Sequence, residues 1–123
     1  MKLPDEPIRV CLCGSTRFRE AFEKAQKDET LAGKIVLTVG MFGHAEGIDM
    51  NGPVKRMLDE LHLRKIDIAH EVLILNVGGY IGESTARELA YARAHGKVVR
   101  FLEPERTQKD TWQHSSNYLP GNR

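Results

Sequence analysis

Cysteine is scarce in this chain, neither sign of charge is in excess, and long apolar runs are missing. Each absence removes a class of protein. Only two cysteines, Cys11 and Cys13, occur in 123 residues, too few for a disulfide scaffold. They stand two apart on a predicted strand and therefore point to the same face, where a bridge between them would be strained. They read as small apolar strand residues in a reducing cytoplasm. No second Cys/His pair stands at zinc spacing, so no metal and no other cofactor is expected. The net charge of +1 provides no general field for a nucleic acid polymer or an anionic membrane, although a local basic pocket for one phosphate is compatible with it. No apolar run approaches the roughly 18 residues of a membrane span. The opening MKLPDEPIRV has no apolar h-region, so no secretory signal is expected and the chain reads as cytoplasmic. Internal repeats and low-complexity segments are also missing.

What is present is an alternation of short apolar runs and helical patterns. The length suits one domain with one core, and 41% hydrophobic residues are enough to fill it. The run IRVCLC predicts a strand over 8–13, closed by Gly-Ser-Thr. Phe18, Ala21, Phe22 and Ala25 then recur at helical spacing, with Gly33 as the stop. KIVLTVG predicts a second strand. MFGHAEGIDMNG is a polar, glycine-bearing loop long enough to suspect a function. Pro53 suits the first turn of a helix whose Val54, Met57, Leu58, Leu61 and Ile68 share a face. EVLILNV has the nearly unbroken apolar character of a central parallel strand. A helix over 85–95, a stop at Gly96 and a strand in KVVRFLE complete the order βαβαβαβ.

That order predicts an α/β fold, a small doubly wound, flavodoxin- or Rossmann-like parallel sheet of four to five strands with helices on both faces. Residues 1–103 are expected to form a single α/β domain, and 104–123 a polar tail with Trp112 and Tyr118 as isolated aromatics.

Ligands of such sheets bind outside the carboxyl ends of the strands. Three segments fall there: CGSTR, GMFGHAEG and NVGGYIGEST. In the first, Gly14, Ser15, Thr16 and Arg17 offer backbone N–H groups at a helix start, hydroxyls and a permanently charged fork, the makings of a phosphate cradle. It is neither a Walker loop nor the six-residue dinucleotide fingerprint. The second contributes Phe42, Gly43 and His44, the last being most simply an exposed loop residue. The third contributes Gly79, Ser84 and Thr85. Thr85-Ala-Arg-Glu88 also fits a capping box, in which Glu88 folds back on the helix start. Spacing alone favours that reading, whereas the position of Glu88 at the cleft mouth favours chemistry. His62 follows Asp59 at i+3 and shares its helix face. His70 and Glu71 fall at the opposite end of the sheet and are set aside.

Taken together, LCGSTRF, RKIDIAHEVLILNVGGYIGESTARELAYARAHGK and the order of elements resemble the nucleoside 2-deoxyribosyltransferase superfamily over about residues 8–103. The superfamily includes 2'-deoxynucleoside 5'-phosphate N-hydrolases. The resemblance implies cleavage or exchange of the N-glycosidic bond of a deoxynucleoside or its monophosphate, without a cofactor, in a homodimer or higher homo-oligomer. STARELAYA matches the stretch that carries the family nucleophile, which falls on Glu88, and Gly14, Ser15 and Arg17 match the phosphate-binding turn. Cys11 stands near a family tyrosine. With Ala69-His70 aligned on the family's Ala-Asp pair, the resemblance sets His62 where the family has an aspartate, with Asp59 and Asp67 out of register, and His62 is the candidate proton donor to the leaving base. Two alternatives accompany this reading. GGYIGESTARE is also similar to the glycine-rich motif of phosphoribohydrolases of the lysine-decarboxylase-like type, and the two departures suit a non-catalytic nucleotide sensor.

Overall fold

The computed structural model describes residues 5–42, 47, 49 and 51–104. Gly43, His44 and the tail beyond Pro104, with Trp112 and Tyr118, lie outside the described residues. The elements run β1 (Arg9–Cys13), α1 (Arg19–Leu31), β2 (Ile35–Leu37), α2 (Pro53–Ile68), β3 (Glu71–Ile74), α3 (Glu83–Ala94) and β4 (Val98–Phe101), with one 3-10 turn, Val77–Gly79, between β3 and α3. The fold is α/β, with a four-stranded, all-parallel sheet in the order β2-β1-β3-β4. The first connection leaves β1 in one direction and the next crosses back over it to β3. That reversal opens a crevice between the carboxyl ends of β1 and β3.

Strand alternation sorts the core into two layers. Val10, Leu12, Leu73 and Leu75 face α1 and enclose its Phe22 and Ala25. Cys11, Cys13, Val72 and Ile74 face the other way, against Ile66 and Ala69 at the end of α2 and Leu89 and Ala92 of α3. The sheet is thus covered on both sides, and every residue of the run 71–76 is buried. Full burial of a Leu or Phe side chain contributes about 1.5–3 kcal/mol, so two such layers are ample for one small domain. The two cysteines share a face, as their spacing requires.

Local signals placed most boundaries. Pro53 opens α2, and Gly33 and Gly96 follow α1 and α3 with φ of 84° and 71°. Two expectations need correction. The helix expected over 85–95 begins earlier, at Glu83 behind an extended Gly82 cap. The apolar face of α2 has the right period but largely faces away from the core: Val54, Met57, Leu61 and Ile68 are 47%, 55%, 46% and 55% exposed. The inward positions are held by His62 and Ile66, with Leu58 and Asp59 half-buried beside them. The first turns of α2 overlie the crevice and not the core, so Lys55, Asp59 and His62 line it together with Leu58 and Leu61. No helix among the described residues is long and apolar enough to cross a membrane.

One buried polar residue fastens the end of β3 to the chain beyond β4. Asn76 is 2% exposed. Its Nδ2 donates to the Glu103 carbonyl at 3.0 Å, its Oδ1 accepts from the Glu103 N–H at 2.9 Å, and the Glu103 carboxylate accepts from the Gly78 N–H at 2.9 Å. Asn76→Ala leaves that backbone pair without its partner, and an unmet buried group costs about 1–3 kcal/mol. The expected result is a loss of about 2–3 kcal/mol by that same accounting, read from the urea midpoint at constant slope.

Candidate functional site

A cavity of ≈ 550 Å³ opens where the topology requires it, between the turn after β1, the inner side of α2 and the start of α3. That volume suits a small-molecule ligand. Gly14 begins the first wall. A Cβ added there would lie 3.0 Å from the Leu75 Cβ and 3.2 Å from the Leu75 carbonyl oxygen, so glycine lets the chain leave β1 this close to the end of β3, and a larger residue would push the two segments apart by a few tenths of an ångström. The Ser15 carbonyl accepts from the Phe18 N–H at 3.0 Å, and its Oγ from the Arg17 N–H at 3.4 Å. Gly14, Ser15, Thr16 and Arg17 all line the cavity. α1 starts only at Arg19, so this motif is a turn of its own and not the first helical N–H groups expected from the sequence.

The second wall is the start of α3. Gly82 caps the helix through its backbone, with no side-chain capping bond. Thr85 is therefore the third residue of the helix and not its cap, and Glu88 stands in the second turn. The capping box does not form, and Glu88 lines the cavity instead, together with Ser84 and Thr85. Around its carboxyl group are the Cys13 thiol, His62 and, more distantly, the charges of Cys11 and Asp59. Burial raises its pKa above the ordinary carboxylate value, against the opposing pull of His62. The chain matches no protein-family model, and comparison with curated proteins and with solved structures gives no match.

Beneath Glu88 lies a group that the sequence left dispersed. His62 is 6% exposed, and its Nε2 is 3.4 Å from Cys13 Sγ and 3.6 Å from Cys11 Sγ. Both thiols are fully buried and unbridged. A hydrogen bond from Cys13, helped by His62, holds Cys11 down to about 5 against the cost of burial. The same bond and burial push Cys13 well up. For His62, burial favours the neutral ring, but the bond and charge of Cys11 and the charge of Glu88 outweigh it and raise its pKa. The Nε2 edge of His62 is thus turned to the thiols, with Glu88 alongside. The expected solvated helix face is a buried one at this position.

Other expected contacts stand apart. Phe42 packs edge-on against Phe22 at 5.6 Å and beneath the Arg19 guanidinium at 4.8 Å. Neither Phe42 nor Gly79 is among the cavity-lining residues. Several lining residues were not singled out from the sequence. Lys55 bonds Asp59 at 2.5 Å and the Ser84 Oγ at 2.8 Å, which ties α2 to α3 across the mouth. Its signal was the i, i+4 pairing with Asp59. Lys65 reaches the Thr38 carbonyl at 2.7 Å. Tyr80 presents its ring to Arg17 at 5.5 Å and to Phe18 at 5.9 Å, and its signal was its place inside the glycine-rich motif. Glu71 and His70 sit at the amino end of the sheet, outside the cavity lining, as the sequence reading placed them.

Proposed function

We propose that this chain cleaves or exchanges the N-glycosidic bond of a deoxynucleoside or its 5'-monophosphate, with Glu88 as nucleophile. The observation that carries the reading is the placement of the Glu88 carboxyl group in a cavity walled by the 14–17 turn and the α3 start. The resemblance of the STARELAYA stretch to that enzyme superfamily supports it. In the reaction, a Glu88 oxygen bonds to C1' as the C1'–N bond breaks, and the bonding pair leaves with the base, which takes up a proton. Water, or a second base, then attacks C1' and frees the carboxylate. Ser15, Thr16, Arg17 and the N–H groups of the α3 start hold the phosphate, and that remote binding positions C1' over Glu88. The His62 ring lies beside Glu88 and opposes the rise of its pKa. The site needs no cofactor for this chemistry. The experiment is release of free base from a panel of nucleosides and monophosphates. Release from none of them overturns the reading, and release confined to ribonucleotides favours a phosphoribohydrolase.

The phosphate anchor makes its own prediction. A hydrogen bond to a charged group contributes about 1.5–3 kcal/mol, so Arg17→Ala is expected to raise KM for a monophosphate by about 10- to 100-fold by that estimate. KM for the parent nucleoside should change little. Equal effects on both would place Arg17 away from the phosphate.

A second reading has an observation of its own. With its Nε2 on Cys11 and Cys13, His62 is poorly placed to give a proton to a leaving base, which suits a nucleotide sensor. Tight nucleotide binding with no base release would decide for it. The enzymatic reading further includes a reducing cytoplasmic setting and self-association, for which the outward α2 residues Val54, Met57 and Ile68 offer an apolar surface. Light scattering should give at least a dimer mass, and Met57→Lys should lower it. A monomer at micromolar concentration would remove this part of the proposal.

A further inference from the structure

The sequence reading treats Cys11 and Cys13 as small apolar strand residues. That accounts for two thiols with no exposed surface. It does not account for a helix histidine buried to 6% and directed at both of them. A buried imidazole needs partners, and the Nε2 of this one is held against two sulfurs, a donor set that suits a soft cation. We propose that Cys11, Cys13 and His62 form a binding site for a single zinc ion.

The geometry carries the proposal. In tetrahedral zinc sites, Zn–S is about 2.3 Å and Zn–N about 2.0–2.1 Å, so a sulfur and a nitrogen on one ion lie about 3.5–3.6 Å apart. Here the two sulfur–nitrogen separations are 3.6 and 3.4 Å. The three donor atoms lie within 4.8 Å of one another. Both sulfur–nitrogen separations thus match those of two donors on one ion. Alternation along β1 brings both sulfurs to one face, and α2 lays the imidazole over them. Zinc-motif spacing was invisible in the sequence because the third donor lies 49 residues beyond Cys13, on a different element. Two sulfurs and one imidazole nitrogen suit zinc and not the hard, oxygen-seeking cations.

Three protein donors leave one tetrahedral position for water or a carboxylate. His62 and Glu88 both line the large cavity, and Glu88 touches Cys13, so the cavity is the entry path and the open position faces it. Zinc takes thiolate sulfurs and a neutral imidazole nitrogen, so whatever protons the three donor atoms hold pass to solvent on binding. The site does not depend on the glycosidic reading, since none of its donors needs a nucleotide. Occupancy would engage His62 Nε2 and set a cation beside Glu88, so metal-loaded and metal-free forms would differ in any activity the cavity has.

The test is cobalt substitution in the full, reduced, metal-free chain. The sequence has two cysteines, so a thiolate-to-cobalt charge-transfer band has no origin other than Cys11 and Cys13. The expected result is a band that saturates at one cobalt per chain, with intense visible bands of a tetrahedral ion, and disappears when one equivalent of zinc is added. Cys11→Ser and Cys13→Ser should each weaken zinc binding by at least about 100-fold, more than loss of an outer contact does. His62→Asn should shift the visible bands. A wild-type chain that gives only the spectrum of aqueous cobalt overturns the proposal, and so does a serine variant that keeps the wild-type spectrum. Should a variant fail to fold, the wild-type spectrum alone decides. The readout is spectroscopic, so it stands or falls separately from base release.

Discussion

Glu88→Gln is expected to lower base release by about 10³- to 10⁵-fold, the range seen when a catalytic nucleophile is removed, while the fold is kept or slightly stabilised. The two halves of this outcome have one cause. Burial lifts the Glu88 pKa above its ordinary value, so the folded state disfavours the anion. For a carboxyl group, a raised folded pKa means stability falls as pH rises from the unfolded value through the folded one. Holding this carboxyl group in the cavity therefore costs the folded state stability above the unfolded pKa. An isosteric neutral amide removes that cost and, with it, the nucleophile. Stability held or gained while activity is lost is the mark of a strained functional group. Liquid chromatography of released base against time, with a thermal melt of the same preparations, checks both halves. Turnover equal to wild type would remove Glu88 from the mechanism. A melting temperature several degrees lower would return it to a structural role. Glu88→Asp keeps the charge on a shorter arm and should retain more activity than the amide.

How much of this was legible in the sequence depends on the distance over which each signal acts. The order of strands and helices was, because apolar period and turn residues are local: Pro53, Gly33 and Gly96 stand where they were expected. The crevice followed, since a parallel sheet whose order reverses opens beside that reversal. The direction in which α2 faces was not legible. Periodicity gives a stripe but not the side it faces, and on α2 the side toward the cavity holds Asp59 and His62 beside Leu58 and Leu61. The start of α3 was misplaced because Ser84 and Thr85 are good capping residues by type, whereas the actual cap is the backbone of Gly82. With the helix starting at Glu83, the capping-box register fails and Glu88 is released to the cavity. The thiol–imidazole group was out of reach of any local pattern, since only tertiary packing brings α2 over β1.

Glu71→Gln is expected to cost about 3 kcal/mol at neutral pH, the lower end of the range for breaking a buried ion pair, and nearly nothing in strong acid. Glu71 opens β3 and is the centre of a four-member charge cluster. Its Oε1 accepts from Lys34 Nζ at 2.9 Å and from Arg100 Nε and Nη2 at 3.0 and 2.7 Å. Glu29 of α1 shares both cations, at 3.3 Å from Lys34 and 2.5 Å from Arg100. The cluster thus ties α1, the approach to β2, β3 and β4 together at the amino end of the sheet. The side chains of Glu71 and Glu29 are 11% and 13% exposed and those of Lys34 and Arg100 are 21% and 36%, so the bonds are partly shielded from water and salt. Removing the Glu71 charge leaves two cations on one carboxylate, which is why the cost should exceed that of a surface pair. Burial alone would raise the Glu71 pKa, but the bonds from Lys34 and Arg100 outweigh it and lower the value. A lowered carboxylate contributes stability that is present above the unfolded value, about 4.3, and is lost as pH falls through the folded value. Wild type and variant should therefore differ fully at pH 7 and converge below that range. Urea unfolding at a series of pH values measures this directly, and a difference that persists unchanged into strong acid would assign the loss to packing instead of charge. The cluster is outside the lining of the cavity, so base release by the variant, assayed well below its melting temperature, should match wild type.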